Sequence, residues 1–306
     1  MNEAFSAAGL TVFERGWLSS NNILFHAEAA PAVLVDTGHC THADQTMALV
    51  AHTLQGQPLA GVVNTHLHSD HCGGNAALGA HHGCTITIPV GEADKVARWD
   101  EDALTYKPTG QSCPPFAHTG VMRAGDEIML GTMPWRVMAS PGHDPESMVL
   151  YQPELQILIS ADALWENGFG VVFPELEGES GFGDVRATLD LIGGLPVQWV
   201  IPGHGAPFQG TGASLERAHR KLDAFIADPA RHARHAAKVL IKYHLMECHR
   251  LPLEALVQWL ADTKYFVVIN RQYFASMPVE QWAMSLADEL VASKALARTG
   301  AWIENL

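Results

Sequence analysis

The sequence has no apolar run approaching the roughly 20 residues that cross a bilayer, so no membrane-spanning helix is expected. Its first residues, Met1-Asn2-Glu3-Ala4, lack the basic and apolar regions of a secretory leader, which points to a cytoplasmic protein. No two of the five cysteines (Cys40, Cys72, Cys84, Cys113, Cys248) are spaced C-x-x-C, and their number is odd. Free thiols in a reducing compartment are therefore expected, not a disulfide framework. There is no internal repeat and no low-complexity linker. Positive charge is scarce, with 19 Lys+Arg against 33 Asp+Glu and a net charge of −14. Residues 1–212 hold 7 basic against 23 acidic side chains, whereas residues 213–250 hold 8 against 4. The acidic body argues against broad nucleic-acid binding, and only the short basic segment keeps a local version open.

What is present is concentrated in Thr65-His66-Leu67-His68-Ser69-Asp70-His71. An apolar run, residues 59–63, precedes it and reads as a buried strand. Gly73-Gly74-Asn75 follows and reads as a tight turn into a helix. In an extended segment the side chains at i and i+2 point the same way, so His66 and His68 are placed to hold one ion together. Asp70 and His71 lie where the chain turns and are placed to face a second ion. Imidazole suits zinc and iron, and a carboxylate adds a hard oxygen ligand.

The H-x-H-x-D-H pattern between a strand and a Gly-Gly turn resembles the metallo-β-lactamase-fold hydrolases. Ser140-Pro141-Gly142-His143, Ser160-Ala161-Asp162 and Ile201-Pro202-Gly203-His204-Gly205 follow in the order of that family's remaining ligand motifs. The resemblance spans roughly residues 10–210. It implies that His66, His68 and His143 hold a first metal, that Asp70, His71 and His204 hold a second, and that Asp162 bridges them. Two divalent ions are expected, zinc first, with iron or manganese as alternatives. The family's bridging hydroxide would attack a carbonyl or phosphoryl centre, with Asp70 as the catalytic carboxylate that orients it or takes its proton. The Asp at 162 favours the glyoxalase II-like and lactonase-like branch, hence a small-molecule thioester, ester or lactone. An RNA-cleaving nuclease and a mononuclear iron persulfide dioxygenase-like enzyme are the alternatives.

Around these motifs the chain alternates strand sets and helices twice up to residue 210. That pattern implies an α+β protein, a four-layer αβ/βα sandwich. Asp36, which ends an early strand, is a candidate for orienting the metal loop. Asn21-Asn22 reads as a hairpin turn. Residues 91–120 break regular periodicity and form a candidate pocket wall that includes Tyr106. The Gly- and aromatic-rich stretch after Asp162 supplies Trp165, Phe169 and Phe173 as candidate substrate contacts. Asp144 and Glu146 add negative charge beside His143. Cys72 matches no ligand position and is expected to have no metal role.

From residue 213 the pattern becomes helical, so a catalytic domain over 1–212 and a helical subdomain over 213–306 are expected. The subdomain weakly resembles the winged-helix appendage of some family members. Residues 266–269 look strand-like within it. His232, His235, His244 and His249 are expected on a solvated or polar helix face and not in a metal site. A homodimer is compatible with the chain.

Overall fold

The computed structural model describes residues 3–306. Its core is two six-stranded sheets packed face to face, with helices on both outer faces. The first sheet runs in chain order: β1 (Leu10–Phe13), β2 (Asn22–Phe25), β3 (Ala32–Val35), β4 (Leu59–Val63), β5 (Thr85–Pro89) and β6 (Gly120–Met122). β1 to β3 pair antiparallel, then β3 to β6 pair parallel, because helices such as Ala43–Leu54 and Asn75–His82 carry the chain back across one face. The second sheet contains β7 (Glu127–Leu130), β8 (Met133–Ala139), β9 (Met148–Gln152), β10 (Ile157–Ala161), β11 (Trp199–Pro202) and β12 (Phe208–Gln209). Only β10 and β11 are parallel there, joined through the helix Gly181–Gly193.

Side-chain alternation along a strand decides which residues face which layer. Ile23 and Phe25 point into the space between the sheets, and Leu24 points out to the helices. In β10, Ile157 and Ile159 join the inter-sheet core while Leu158 packs under the Gly181–Gly193 helix. Trp135, fully buried, fills the middle of the sandwich against Phe25. Burying a large aliphatic or aromatic side chain is worth about 1.5–3 kcal/mol, so this two-sided pattern strongly fixes the register of the central strands. The α+β sandwich is the architecture that the sequence implies.

The helix Gly212–Ala227 lies on the outer face of the second sheet, where Ala218, Leu222 and Phe225 share a core with Val149, Tyr151 and Leu189. The helix Pro229–Cys248 then leads into a separate core built by Leu256, Phe266, Ile269, Trp282 and Leu286. Here β13 (Arg250–Pro252), three helices and the hairpin of β14 (Leu296–Thr299) and β15 (Trp302–Asn305) follow in turn, with β15 central in the small sheet. The C-terminal part is thus mostly helical, with a small three-stranded sheet. Residues 266–269 are not a strand; they lie within the helix Lys264–Tyr273. Four apolar residues in a row fit either element, and it is the i, i+3 burial of Phe266 and Ile269 against Trp282 that selects the helix. Among the described residues no helix is long and apolar enough to cross a membrane.

Candidate metal centre

The ligand-type residues lie at one end of the sandwich, just beyond strand ends. The segment after β4 carries His66 and His68 and enters a one-turn helix, Ser69–Cys72, that carries Asp70 and His71. His143 lies between β8 and β9, Asp162 directly follows β10, and His204 follows β11. Folding brings them into two groups, His66 with His68 and His143, and Asp70 with His71, Asp162 and His204. Within each group one ligand atom per residue lies within 4.8 Å of the others. Asp162 faces both, with Oδ2 3.3 Å from His143 Nε2 and Oδ1 3.5 Å from His71 Nε2.

The donor chemistry fits cations. Burial lowers the pKa of His68 and of His143 to about 4, so each imidazole is neutral and offers a lone pair. Burial and the neighbouring rings lower His66 as well. Those lone pairs converge, with His66 Nε2 3.1 Å from His68 Nδ1 and His68 Nδ1 2.8 Å from His143 Nε2. Burial alone would raise Asp70, yet His71 and His204 outweigh it and hold the carboxyl at about 2. Asp162 is likewise kept well below the usual carboxylate range by His204 and His71 against the cost of burial. Burial opposes charge on His71, but Asp162, Asp70 and Asp36 together pull its pKa well above the imidazole range. That pull shows how much positive charge the carboxylates call for. His71 Nε2 and His204 Nδ1 are buried without any hydrogen-bond partner. Buried polar atoms ordinarily find one, and His71 Nε2, 3.5 Å from Asp162 Oδ1 and 3.8 Å from Asp70 Oδ2, has the position of a metal ligand.

Supporting contacts set the ligand geometry. Asp36 Oδ2 lies 2.8 Å from His71 Nδ1, while its two oxygens accept from the Thr65 amide at 2.9 Å and the Thr65 hydroxyl at 2.8 Å. This fixes which His71 nitrogen turns to the centre, the role expected of Asp36. It stands at φ 55°, and Ala161, just before Asp162, at φ 45°. Both are non-glycine residues in left-handed backbone, a strain that the surrounding hydrogen bonds must hold. Asp36→Ala is expected to weaken metal binding about 10- to 100-fold, read by competition with a chromophoric chelator. Unchanged affinity would show that Asp36 is only a turn residue.

Asn21 is not a free turn residue. It is buried, and its Nδ2 donates to the Pro202 carbonyl at 2.9 Å and the Gly205 carbonyl at 2.7 Å, clamping the loop that carries His204. No local signal in the sequence marks this role, because its partners lie some 180 positions away. Tyr106 does not line the cavity with Trp165, Phe169 and Phe173. It is buried behind the metal loop, where its hydroxyl donates to the Leu67 carbonyl at 2.9 Å and meets Cys72 Sγ at 3.2 Å. Its neighbours Thr105, Thr109 and Gln111 line the cavity instead. The Cys72 thiol belongs to neither ligand group.

The centre opens into a cavity of about 530 Å³. Trp17 stacks on His204 at 5.4 Å, and Trp165 meets the same ring edge-on at 5.4 Å. Phe173 stands against His68 at 5.1 Å and His143 at 5.7 Å. The far wall is helical, with Lys221 from Gly212–Ala227 and His235, Val239, Tyr243 and Met246 from Pro229–Cys248. Of the four histidines expected there, His249 is exposed just past the helix end, His235 and His244 are half-buried, and His232 faces inward. His232 is buried and accepts from the Val172 amide at 3.2 Å, and His244 stacks on Trp259 at 3.8 Å. Burial of the neighbouring apolar helix surface carries His232 inside and leaves His235 and His244 half-covered.

The family model of the metallo-beta-lactamase superfamily matches residues 15–204, which includes every ligand-type residue above. The chain belongs to the metallo-beta-lactamase superfamily. Among curated relatives of this superfamily member, a hydroxyacylglutathione hydrolase from Rhodospirillum rubrum is 27% identical over 168 residues, 54% of this chain and 56% of that protein. An acyl-coenzyme A thioesterase MBLAC2 from Bos taurus is 28% identical over 181 residues, 56% of this chain and 63% of that protein. The chain thus matches only a little over half of these relatives' lengths. A beta-lactamase domain protein from Burkholderia ambifaria superposes with a TM-score of 0.58 at 20% identity, covering 97% of this chain and 92% of that one. A metallo-beta-lactamase family protein from Thermus thermophilus gives 0.56 at 18%, covering 97% and 99%. At these identities the likeness is one of fold, and it extends through the C-terminal helices.

Proposed function

We propose that the protein is a binuclear metallohydrolase that cleaves a small-molecule thioester with water, ester and lactone hydrolysis being the same chemistry on a different leaving group. The observation that carries this reading is the pair of ligand groups joined by Asp162 and opening on an aromatic-walled cavity of about 530 Å³. Such a cavity takes a small organic molecule. These residues would hold divalent ions, zinc first and iron or manganese as alternatives, which when bound would supply Lewis acidity towards a carbonyl oxygen and a water made nucleophilic near neutral pH. The Asp70 carboxylate, held ionised and on the cavity wall, accepts a hydrogen bond from the attacking water and aims its lone pair at the carbonyl carbon. Trp17, Trp165 and Phe173 exclude bulk water and hold the acyl compound flat against the centre. Relatives that are a hydroxyacylglutathione hydrolase and an acyl-coenzyme A thioesterase point the same way.

The basic segment over 213–250 gives the nuclease alternative little support. Arg234 and Lys238 pair with Glu289, Arg217 donates to the Glu166 carbonyl, and Lys242 donates to the Ala295 and Leu306 carbonyls. These cations serve internal contacts and do not form a free basic stripe. The test is a panel of an acyl thioester, a lactone and an RNA phosphodiester, run with metal content measured on the same sample. Thioester turnover that chelation abolishes, at a kcat/KM about 100-fold or more above the phosphodiester, is the expected result. Selective RNA cleavage, or a single iron with oxygen consumption, would replace this reading.

A further inference from the structure

Lys221 is placed unlike the other lysine of the cavity wall, Lys242. It projects from the Gly212–Ala227 helix into the cavity, and its Nζ donates to one group, the Phe169 carbonyl, at 2.8 Å. Around it stand the rings of Phe169 at 4.7 Å, Phe225 at 5.6 Å and Trp165 at 6.0 Å. Among the described residues no carboxylate pairs with it, and burial lowers its pKa to about 8 with nothing raising it back. An ammonium has three donors, so two N–H groups remain beside the cavity. The chain passes tightly over its stem at Gly168, where a Cβ would lie 3.0 Å from Lys221 Cδ. Lys242, the other lysine of the cavity wall, is tied to two main-chain carbonyls.

His235 faces the same cavity from the next helix. Burial, then Lys221 and Lys238, lower its pKa to about 4, so its ring is neutral and carries one N–H. No hydrogen bond of this ring is formed within the described residues, although it packs against Phe225 at 5.8 Å. A cation and a neutral donor thus mark one polar recess in an otherwise aromatic wall. A half-buried cation with a single hydrogen bond and no carboxylate partner is left under-solvated, and an anion entering the recess completes it.

The recess lies close to the centre. Trp165, whose ring Lys221 faces, donates from Nε1 to Asp162 Oδ1 at 3.1 Å. One indole ring therefore separates the ammonium from a metal-ligand carboxylate, and a short carbon chain covers that width.

We propose that Lys221 and His235 form a carboxylate-binding recess, so that the preferred substrate is a thioester whose acyl chain ends in a carboxylate, a half-thioester of a short dicarboxylic acid. The proposal rests on the thioester reading above. The anion is assigned to the acyl half because only the Trp165 indole lies between Lys221 Nζ and Asp162, a span that a short acyl chain covers. The carboxylate replaces lost hydration of Lys221 with a charge-assisted hydrogen bond, and the His235 N–H donates to its second oxygen.

The test compares S-glutaryl- and S-hexanoyl-N-acetylcysteamine on the metal-loaded full chain and its Lys221→Met and Lys221→Arg variants, with melting curves to verify folding. The wild-type protein is expected to show a KM for the glutaryl compound at least 10-fold lower than for the hexanoyl compound. Lys221→Met is expected to raise the glutaryl KM about 10- to 100-fold and so collapse that preference, and Lys221→Arg to restore part of it. Equal wild-type KM values, or the same proportional loss on both substrates in Lys221→Met, overturn the proposal; the second is what a mere tie between helix and loop would give. If neither thioester is cleaved, the thioester reading fails, and calorimetric binding of glutarate against hexanoate decides the recess separately. Glutarate binding that weakens at least 10-fold in Lys221→Met supports it. Glutarate bound no better than hexanoate, or equally by both forms, overturns it.

Discussion

Asp162→Ala is expected to lower kcat/KM for the hydrolysed substrate by about three orders of magnitude, a barrier increase of roughly 4 kcal/mol. Asp162 is the residue whose two oxygens face both ligand groups, at 3.3 Å from His143 and 3.5 Å from His71. On the proposed binuclear reading its loss would remove a ligand from each side at once, and it leaves His71 without its strongest charge partner. It also frees Trp165 Nε1, which donates to the same carboxylate at 3.1 Å, so the cavity wall loosens with the centre. The measurement pairs steady-state kinetics with elemental analysis. The wild-type protein should carry two metal ions per chain, and the variant fewer than two at equal loading. A variant that keeps both ions and near-normal turnover would show that Asp162 is not a shared ligand.

Gly170→Ala, although it touches no ligand-type residue covalently, is expected to cost about 100-fold in kcat/KM, the scale of a 1 Å misplacement at a catalytic centre. A Cβ at this position would lie 2.4 Å from His143 Nδ1 and 2.7 Å from its Cε1. The ring cannot retreat easily, because Nδ1 donates to the Val171 carbonyl at 2.6 Å. The chain cannot retreat either, since the Gly170 amide donates to the Asp162 carbonyl at 2.9 Å. One methyl group therefore forces His143 and Asp162 apart. Gly16→Ala serves as the control, because a Cβ there meets nothing within 4 Å. Activity within twofold of the control would mean that the ring swings aside at no cost.

The ligand-type residues that the fold gathers were legible in the sequence because their motifs are local. His66, His68, Asp70 and His71 lie within six consecutive positions, and His143, Asp162 and His204 each follow a strand with a short motif of their own. Strand alternation was legible for the same reason, since a period of two needs only a few residues to declare itself. Residues 266–269 escaped that logic because four apolar side chains in a row carry no period, and their element was decided by Trp282 and Leu286 from another helix. Tyr106 was misplaced because aromatic composition does not tell a cavity wall from the packing behind a metal loop.

By itself the sequence determined the superfamily, the sandwich and the seven ligand-type residues, since each is encoded by spacing along one strand end or one turn. Only the tertiary structure decided what surrounds them. Asn21 reaches the His204 loop, and Lys221 and His235 reach the cavity, across long sequence separations. Such contacts leave no local pattern, because the side chains that meet are chosen by how helices and sheets pack and not by their neighbours in the chain.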